Sequence, residues 1–277
     1  MNVFEKILHF LEFEIERPQI FGWFHIMCVA ILVVACVYAC VKLRDCSEGT
    51  YRKIVIVCWA CMLVLEIYKQ LVLAMEINEY RIVTWEYQWY AFPFQLCSTP
   101  IFVMPFVAIM KDGAVRKSLI WFLCFFSVFG GLTVIAYPNE VFASTLGINI
   151  QTMVHHGMQI FIGVLSVARF RSEFSIKSYF KSIPVFAVLV VMATVLNEIM
   201  YAVLSTEGAE VMFNMFYISR HFGCTLPLLS MVYSAVPYVA FVLIYIVGFL
   251  ICAFAIFLIQ RGILALATGL KARYAKK

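Results

Sequence analysis

Charge is what this chain has least of: charged residues are 13 % of its 277 positions, about half the share of an ordinary soluble domain. With 64 % hydrophobic residues, there is too little polar surface to cover a water-soluble globule of this length. One all-α integral membrane domain is therefore expected. The net charge of +5 collects in loops between apolar runs, where it meets anionic lipid, so no nucleic-acid partner is expected. The first residues, MNVFEKILHFLEFEIERPQ, have no basic stretch before an apolar one and no small-residue cleavage site, so the first spanning helix is expected to be retained. There is no repeat, no low-complexity tract and no soluble second domain. Cys58 and Cys61 form C-x-x-C inside an apolar run with no second pair and no nearby His, so no metal site and no cofactor are expected.

What the chain does have is seven apolar segments near the ~20 residues that a bilayer requires. They run from Phe21 to Val41, Ile54 to Met75, Pro93 to Met110, Leu119 to Tyr137, Gln151 to Ala168, Ile183 to Leu204 and Pro237 to Ile259. The loops between them alternate in charge. Lys42 to Lys53, Lys111 to Lys117, Arg169 to Lys181 and the tail from Arg261 carry sixteen Lys and Arg between them; the other side carries four, Lys6, Arg17, Arg81 and Arg220. The positive-inside rule then predicts seven transmembrane helices with the N-terminus outside and the C-terminus cytoplasmic. The expected organisation is an interfacial helix over 1–20, ended by Pro18, a seven-helix domain over 21–260 and a basic cytoplasmic tail over 261–277.

Phe4, Ile7, Leu8 and Leu11 recur at helical spacing opposite Glu5, Glu12 and Glu16, which gives the first helix one face for lipid and one for water. Tyr80, Trp85, Tyr87, Trp89 and Tyr90 crowd the second loop and read as an interfacial aromatic belt. The last loop, Ser205 to Val236, is long, apolar and broken by Pro227; a short helix or re-entrant segment is expected there. Most of the ten cysteines lie in apolar helices as small buried hydrophobes. Cys97 and Cys224 lie toward the outer face, where a disulfide between them would remove either as a nucleophile.

Polar side chains inside spanning helices are costly and mark cavities or contacts within the bundle. Helix two carries Glu66 and Lys69, helix three opens with Gln95, Cys97 and Thr99, helix five opens with His155 and His156, and helix six ends with Asn197 and Glu198. At 1.5 Å per residue, Lys69, Cys97, His156 and Glu198 all fall on the order of 8 to 9 Å below the outer boundary. Plain structural roles compete with a site: Glu66 and Lys69 are spaced to neutralise each other, and Asn197 and Glu198 can join helices. A thiol and a histidine pair at one depth shift the balance toward chemistry, because a thiol needs an adjacent base to become a thiolate.

Three stretches, FPFQLCSTPIFVMPFVAI opening helix three, VHHGMQIFIG opening helix five, and LNEIMY with FNMFYISR near the end, resemble the YwaF-like family of bacterial integral membrane proteins. That family is distantly similar to an animal transmembrane acyltransferase that remodels ether phospholipids and to small lipid hydrolases with a Thr and His pair. The resemblance implies a bacterial plasma-membrane protein in which Cys97 is the nucleophile and one of the two histidines assists it, His156 beside Gly157 being the preferred match. Gln95 stands where many bacterial members have His. Membrane phospholipids are the substrates it implies.

On this reading Cys97, activated by His156 or His155, attacks an acyl ester and forms a thioester that passes to a lysolipid or to water. Glu198 would orient the imidazole, while Gln95, Thr99 or Asn197 would donate to the oxyanion. Arg220 and His221 would hold the lipid phosphate, with Asn214, Lys69 and Glu66 completing the substrate-binding set. The competing class is a transporter or receptor that binds a solute or proton in the same polar cluster. Seven helices leave no even inverted repeat for a carrier, and helix seven has no Lys for a retinal Schiff base. A structural or accessory subunit is the third class. Nothing in the chain specifies an oligomeric state.

Overall fold

Ser47 starts the helix that carries Glu66 and Lys69: its hydroxyl accepts from the Thr50 N–H at 3.1 Å, satisfying a donor that would otherwise be orphaned at a helix start. From there the apolar run holds helix α3 from Glu48 to Ala74. The computed structural model describes residues 3–77, 82–205 and 211–274. Its other helices are α1 (Val3–Leu11), α2 (Trp23–Tyr38), α4 (Pro100–Ile109), α5 (Ala114–Phe122), α6 (Val128–Ala136), α7 (Leu146–Arg169), α8 (Ile176–Leu204), α9 (Leu229–Ala235) and α10 (Tyr238–Tyr274). Wide π turns at Ala39–Leu43 and Leu123–Ser127 extend α2 and join α5 to α6. The protein is thus an all-α membrane protein.

Among the described residues, five helices are long and apolar enough to cross a membrane: Trp23–Leu43, Glu48–Ala74, Ala114–Ala136, Ile176–Leu204 and Tyr238–Ala267. The other two expected segments differ for physical reasons. Between Pro93 and Thr99 the chain runs in turns, and helix forms only from Pro100, whose fixed φ suits a first helical turn. Helix α7 has 24 residues, ample length for a crossing, but it buries Asn149, Gln151, Thr152, His155, His156, Gln159 and Ser166, so its mean hydropathy is low. Those side chains face protein rather than lipid, because α7 lies against α2, α3, α5 and α6.

Close approach of α6 and α7 depends on glycine. A Cβ on Gly131 would lie 2.7 Å from the His156 carbonyl oxygen, and one on Gly163 would lie 2.1 Å from a Val128 methyl group. Around Leu123–Ser127 an aromatic core fills the remaining space, with Phe126 stacked on Phe186 at 4.5 Å between centroids and Trp121 on Phe125 at 6.1 Å. Such contacts place the core on the inner faces of α3, α5, α7, α8 and α10, while Val33, Val57, Val191 and Ile251 project outward as bare apolar surface. An outward face of this kind suits lipid.

The N-terminal helix ends at Leu11, before Pro18. Beyond it the chain is extended: the Ile15 N–H donates to the Ser144 carbonyl at 2.7 Å and the Leu146 N–H to that of Phe13 at 2.9 Å. The Tyr68 hydroxyl donates to the Leu11 carbonyl at 2.6 Å. Leu8 is buried, so this helix packs on the bundle rather than resting on lipid alone. The aromatic second loop begins with a hairpin, β1 (Met75–Ile77) against β2 (Val83–Trp85), antiparallel with Glu76 opposite Thr84; Tyr80 and Arg81 lie outside the described residues. The last loop holds a 3-10 turn, Met215–Tyr217, and α9. Helix α10 continues well past Arg261, so the expected basic tail begins as helix.

At the end of the bundle where α3, α5 and α8 begin and α7 ends, Glu48 gathers three arginines. Arg52 Nε is 2.8 Å, Arg116 Nη2 2.5 Å and Arg169 Nη2 3.0 Å from its carboxylate. Arg52 also donates to the carbonyls of Ala108 and Met110, which ties off the C-terminal end of α4.

Candidate functional site

Cys97 is held by its backbone. The turns before α4 form because the Ser98 and Thr99 N–H groups both donate to the Gln95 carbonyl, at 2.8 and 3.1 Å, while the Thr99 hydroxyl donates to that of Leu96 at 2.7 Å. The Cys97 carbonyl accepts from two side chains of α7, His155 Nε2 at 3.0 Å and Gln159 Nε2 at 2.5 Å. A carbonyl can only accept, so His155 carries its proton on Nε2. Its Nδ1 is left as a buried lone pair with no hydrogen-bond partner among the described residues.

His156 is held the other way round. Its Nδ1 donates to the Thr152 carbonyl at 2.7 Å, one helical turn back, which fixes the tautomer and leaves Nε2 unprotonated, buried and without a hydrogen-bond partner among the described residues. The two rings lie 5.3 Å apart between centroids. Each histidine therefore offers one bare nitrogen, but His155 is also bound to the Cys97 peptide.

Glu66 and Lys69 form an ion pair at 2.7 Å, and Gln70 Nε2 donates to the same carboxylate oxygen at 2.7 Å. The mutual neutralisation expected from their spacing is realised. The pair also acts on the site: both residues lie within electrostatic reach of the Cys97 thiol and of His156. The Lys69 ammonium has three N–H donors, of which one serves Glu66. Tyr217 and Tyr245 lie within electrostatic reach of both Cys97 and Cys224. Both cysteines are free thiols.

Other expected members of the site are engaged elsewhere. Glu198 binds His221, Nε2 to Oε2 3.1 Å, and the His221 ring stacks on Tyr201 at 3.5 Å. The Thr152 carbonyl, not Glu198, orients the His156 ring. Asn197 spends both ends of its amide on Met215, accepting from its N–H at 2.7 Å and donating to its carbonyl at 3.0 Å. Asn214 accepts from the Ser219 N–H at 2.9 Å and donates to the Gly223 carbonyl at 3.0 Å. Gln95 Nε2 donates to the Asn214 carbonyl at 2.8 Å. Gln95 and Asn197 thus hold the last loop in place, and the Thr99 hydroxyl is spent on the Leu96 carbonyl. The clamp on Met215 matters because Phe216 and Tyr217 take left-handed backbone angles, φ 58° and 56°, a strained state that needs external support. Arg220 is exposed, and its carbonyl accepts from the Tyr233 hydroxyl at 3.3 Å.

Gln159, Thr152 and Tyr217 were not among the residues expected from sequence. Gln159 and Thr152 were accessible to helical spacing: each lies four residues from the histidine whose work it shares, on the same helix. Tyr217 gives no such signal. A cleft of about 420 Å³ near this end is lined by Trp85, Tyr87, Trp89, Tyr90 and Met212 among others, so the aromatic belt also walls a groove. A larger cavity, about 570 Å³, lies at the arginine-rich end.

The TMEM164 family model matches residues 20–260, a span that contains every residue of this site. The chain belongs to the TMEM164 family. No curated protein and no solved structure matches it. The TMEM164 match begins just before α2 and ends within α10, leaving α1 outside the shared region.

Proposed function

We propose that this TMEM164-family protein is a lipid acyltransferase or acyl hydrolase with Cys97 as nucleophile and His156 as base. The observation that supports this best is the His156 ring: Thr152 fixes its proton on Nδ1, and Nε2 is a bare, buried lone pair on the helix that binds the Cys97 peptide. The Cys97 proton passes to His156 Nε2 as sulfur attacks an acyl ester carbonyl of a phospholipid. The ester C–O bond then breaks, the leaving alkoxide takes the proton from His156, and the acyl group remains as a thioester. In the second half, a lysolipid hydroxyl or water gives its proton to His156, attacks the thioester and releases the Cys97 thiolate, which regains the proton.

Negative charge on the tetrahedral oxygen calls for a preorganised donor. With Gln95, Thr99 and Asn197 bonded to backbone groups, Lys69 fits that role, and its ion pair with Glu66 orients it. His155 and Gln159 are positioning residues for the Cys97 peptide. Arg220 suits the lipid phosphate. The seven-segment reading, N-terminus outside, goes with this proposal: on it the α4 segment and α7 would join the five apolar spans, and the site would lie in the outer half.

Purified protein incubated with defined phospholipids should yield a thioester on Cys97 by mass spectrometry. Cys97→Ala should abolish it, and His156→Ala should lower turnover by about 10²-fold or more. Full activity in Cys97→Ala sinks the proposal. The solute-carrier reading draws on the ion pair of Glu66 and Lys69; it predicts that Cys97→Ala leaves function unchanged. An impermeant maleimide added outside should label Glu140→Cys and miss Ser175→Cys.

A further inference from the structure

At the far end of the bundle from Cys97, about 20 Å along α7 from His155 at 1.5 Å per residue, the 570 Å³ cavity is lined by Arg44, Asp45, Arg169, Arg171, Ser172 and Leu264. Three guanidinium groups thus face one carboxylate around a single opening. Their hydrogen bonds leave specific donors unused. Arg171 donates through both terminal nitrogens, to Asp45 at 2.6 Å and to the carbonyls of Ala168 and Arg44 at 3.0 and 3.3 Å. Arg169 commits its terminal nitrogens to Glu48 and the Cys46 carbonyl, and its Nε is buried without a partner among the described residues. Arg44 uses only Nε, on Asp45 at 3.1 Å, so both of its terminal nitrogens are free among the described residues, as are Arg171 Nε and the Ser172 hydroxyl. A pair of free guanidinium nitrogens beside a hydroxyl matches a tetrahedral oxyanion, which takes Arg in a two-pronged contact.

The surroundings say where such an anion comes from. Val37 and Val41, a few residues before Arg44 in the chain, are exposed, and so are Ile263 and Leu266 on either side of the cavity-lining Leu264 in the sequence of α10. Exposed apolar side chains so close in sequence to the cavity lining offer ridges for acyl chains, and cations at a membrane surface attract anionic headgroups. A soluble anion would gain nothing from those ridges. We propose that this cavity binds the phosphate of an anionic membrane phospholipid, with Arg44 and Ser172 as the direct contacts and Arg171 as the supporting cation. The site is separate from Cys97 and does not depend on acyl transfer.

The test uses the full chain in nanodiscs of phosphatidylcholine doped with phosphatidylglycerol, with annular lipid retention read by native mass spectrometry. Phosphatidylglycerol should be enriched over phosphatidylcholine. Arg44→Gln should weaken that preference about tenfold, as expected for a lost charge-assisted contact. Asp45→Asn, which removes the competing carboxylate, should strengthen it several-fold, a gain that misfolding cannot produce. Inorganic phosphate added in excess separates the sources of the anion: continued retention of phosphatidylglycerol supports the lipid, while its complete displacement overturns the lipid assignment. Equal retention of the two lipids, or no response to either substitution, also overturns it.

Discussion

Glu48→Gln keeps the shape of one side chain and removes the charge on which three arginines converge. Arg116 has most at stake: it is 1 % exposed, and its one other carboxylate, Asp112, stands 3.6 Å away. Breaking a buried ion pair by losing one partner costs about 3–5 kcal/mol. Here the Glu48 side chain is 42 % exposed, so solvent screening and the remaining Asp112 contact bring the Arg116 share to about 2 kcal/mol. The pairs with Arg52 and Arg169, whose cations reach water in part, add about 0.5 kcal/mol each. The total is about 3 kcal/mol, or roughly 5–10 °C in the unfolding temperature of the detergent-solubilised chain. Adding Arg116→Met removes the stranded cation, so the double variant should lose less than the sum of the two single losses. Thermal unfolding of the four proteins of this cycle measures both quantities. A Glu48→Gln loss below about 1 kcal/mol, or strict additivity, would refute the reasoning, because either result means that Arg116 does not need the Glu48 charge.

Gly131→Ala sets a methyl group 2.7 Å from the His156 carbonyl oxygen, with no flexible side chain to yield; a loss of about 1–3 kcal/mol is expected, together with a lowered rate of thioester formation as α7 is pushed away. Asn197→Ala orphans the Met215 N–H and leaves its carbonyl only the long Ile218 N–H at 3.4 Å; it should cost about 2 kcal/mol, with faster hydrogen exchange at Phe216 and Tyr217 as the local readout. The Arg171 hydrogen bond beside Asp45 holds its carboxyl below the usual range. That contribution to stability is complete above the ordinary Asp value of about 4 and fades as pH falls below it. Asp45→Asn should flatten this part of a melting-temperature profile below about pH 4, and an unchanged slope argues against the pairing.

The spans were legible in sequence wherever a helix shows apolar side chains to lipid, as α2, α3, α8 and α10 do. Helix α7 was legible as helix but not as a buried one, because its polar side chains are spent on internal carbonyls that no local pattern announces: Gln159 on Cys97, Asn149 on Ala143. The turns from Pro93 to Thr99 were hidden for the same reason. Apolar content gave Pro93 to Met110 the look of a span, but the carbonyl of Cys97 is satisfied across the bundle instead of along a helix. At the candidate site, spacing on one helix revealed the Glu66 and Lys69 pair. Glu198 was assigned to the imidazoles on depth alone, and its actual partner, His221, is brought to it by a loop whose path depends on the Asn197 clamp. Depth arguments rank residues along the membrane normal but carry no azimuth.

The two donors on the Cys97 carbonyl come from adjacent turns of one helix, so the peptide that carries the thiol and the ring of His156 are mounted on the same rigid rod. If α7 tilts or slides, thiol and imidazole travel together. Relative motion must then fall elsewhere, as on the contact of Gln95 with the loop at Asn214. On the proposed acyl-transfer reading, a lipid that wedges that contact apart would open a path to the thiol without disturbing its register with the histidine.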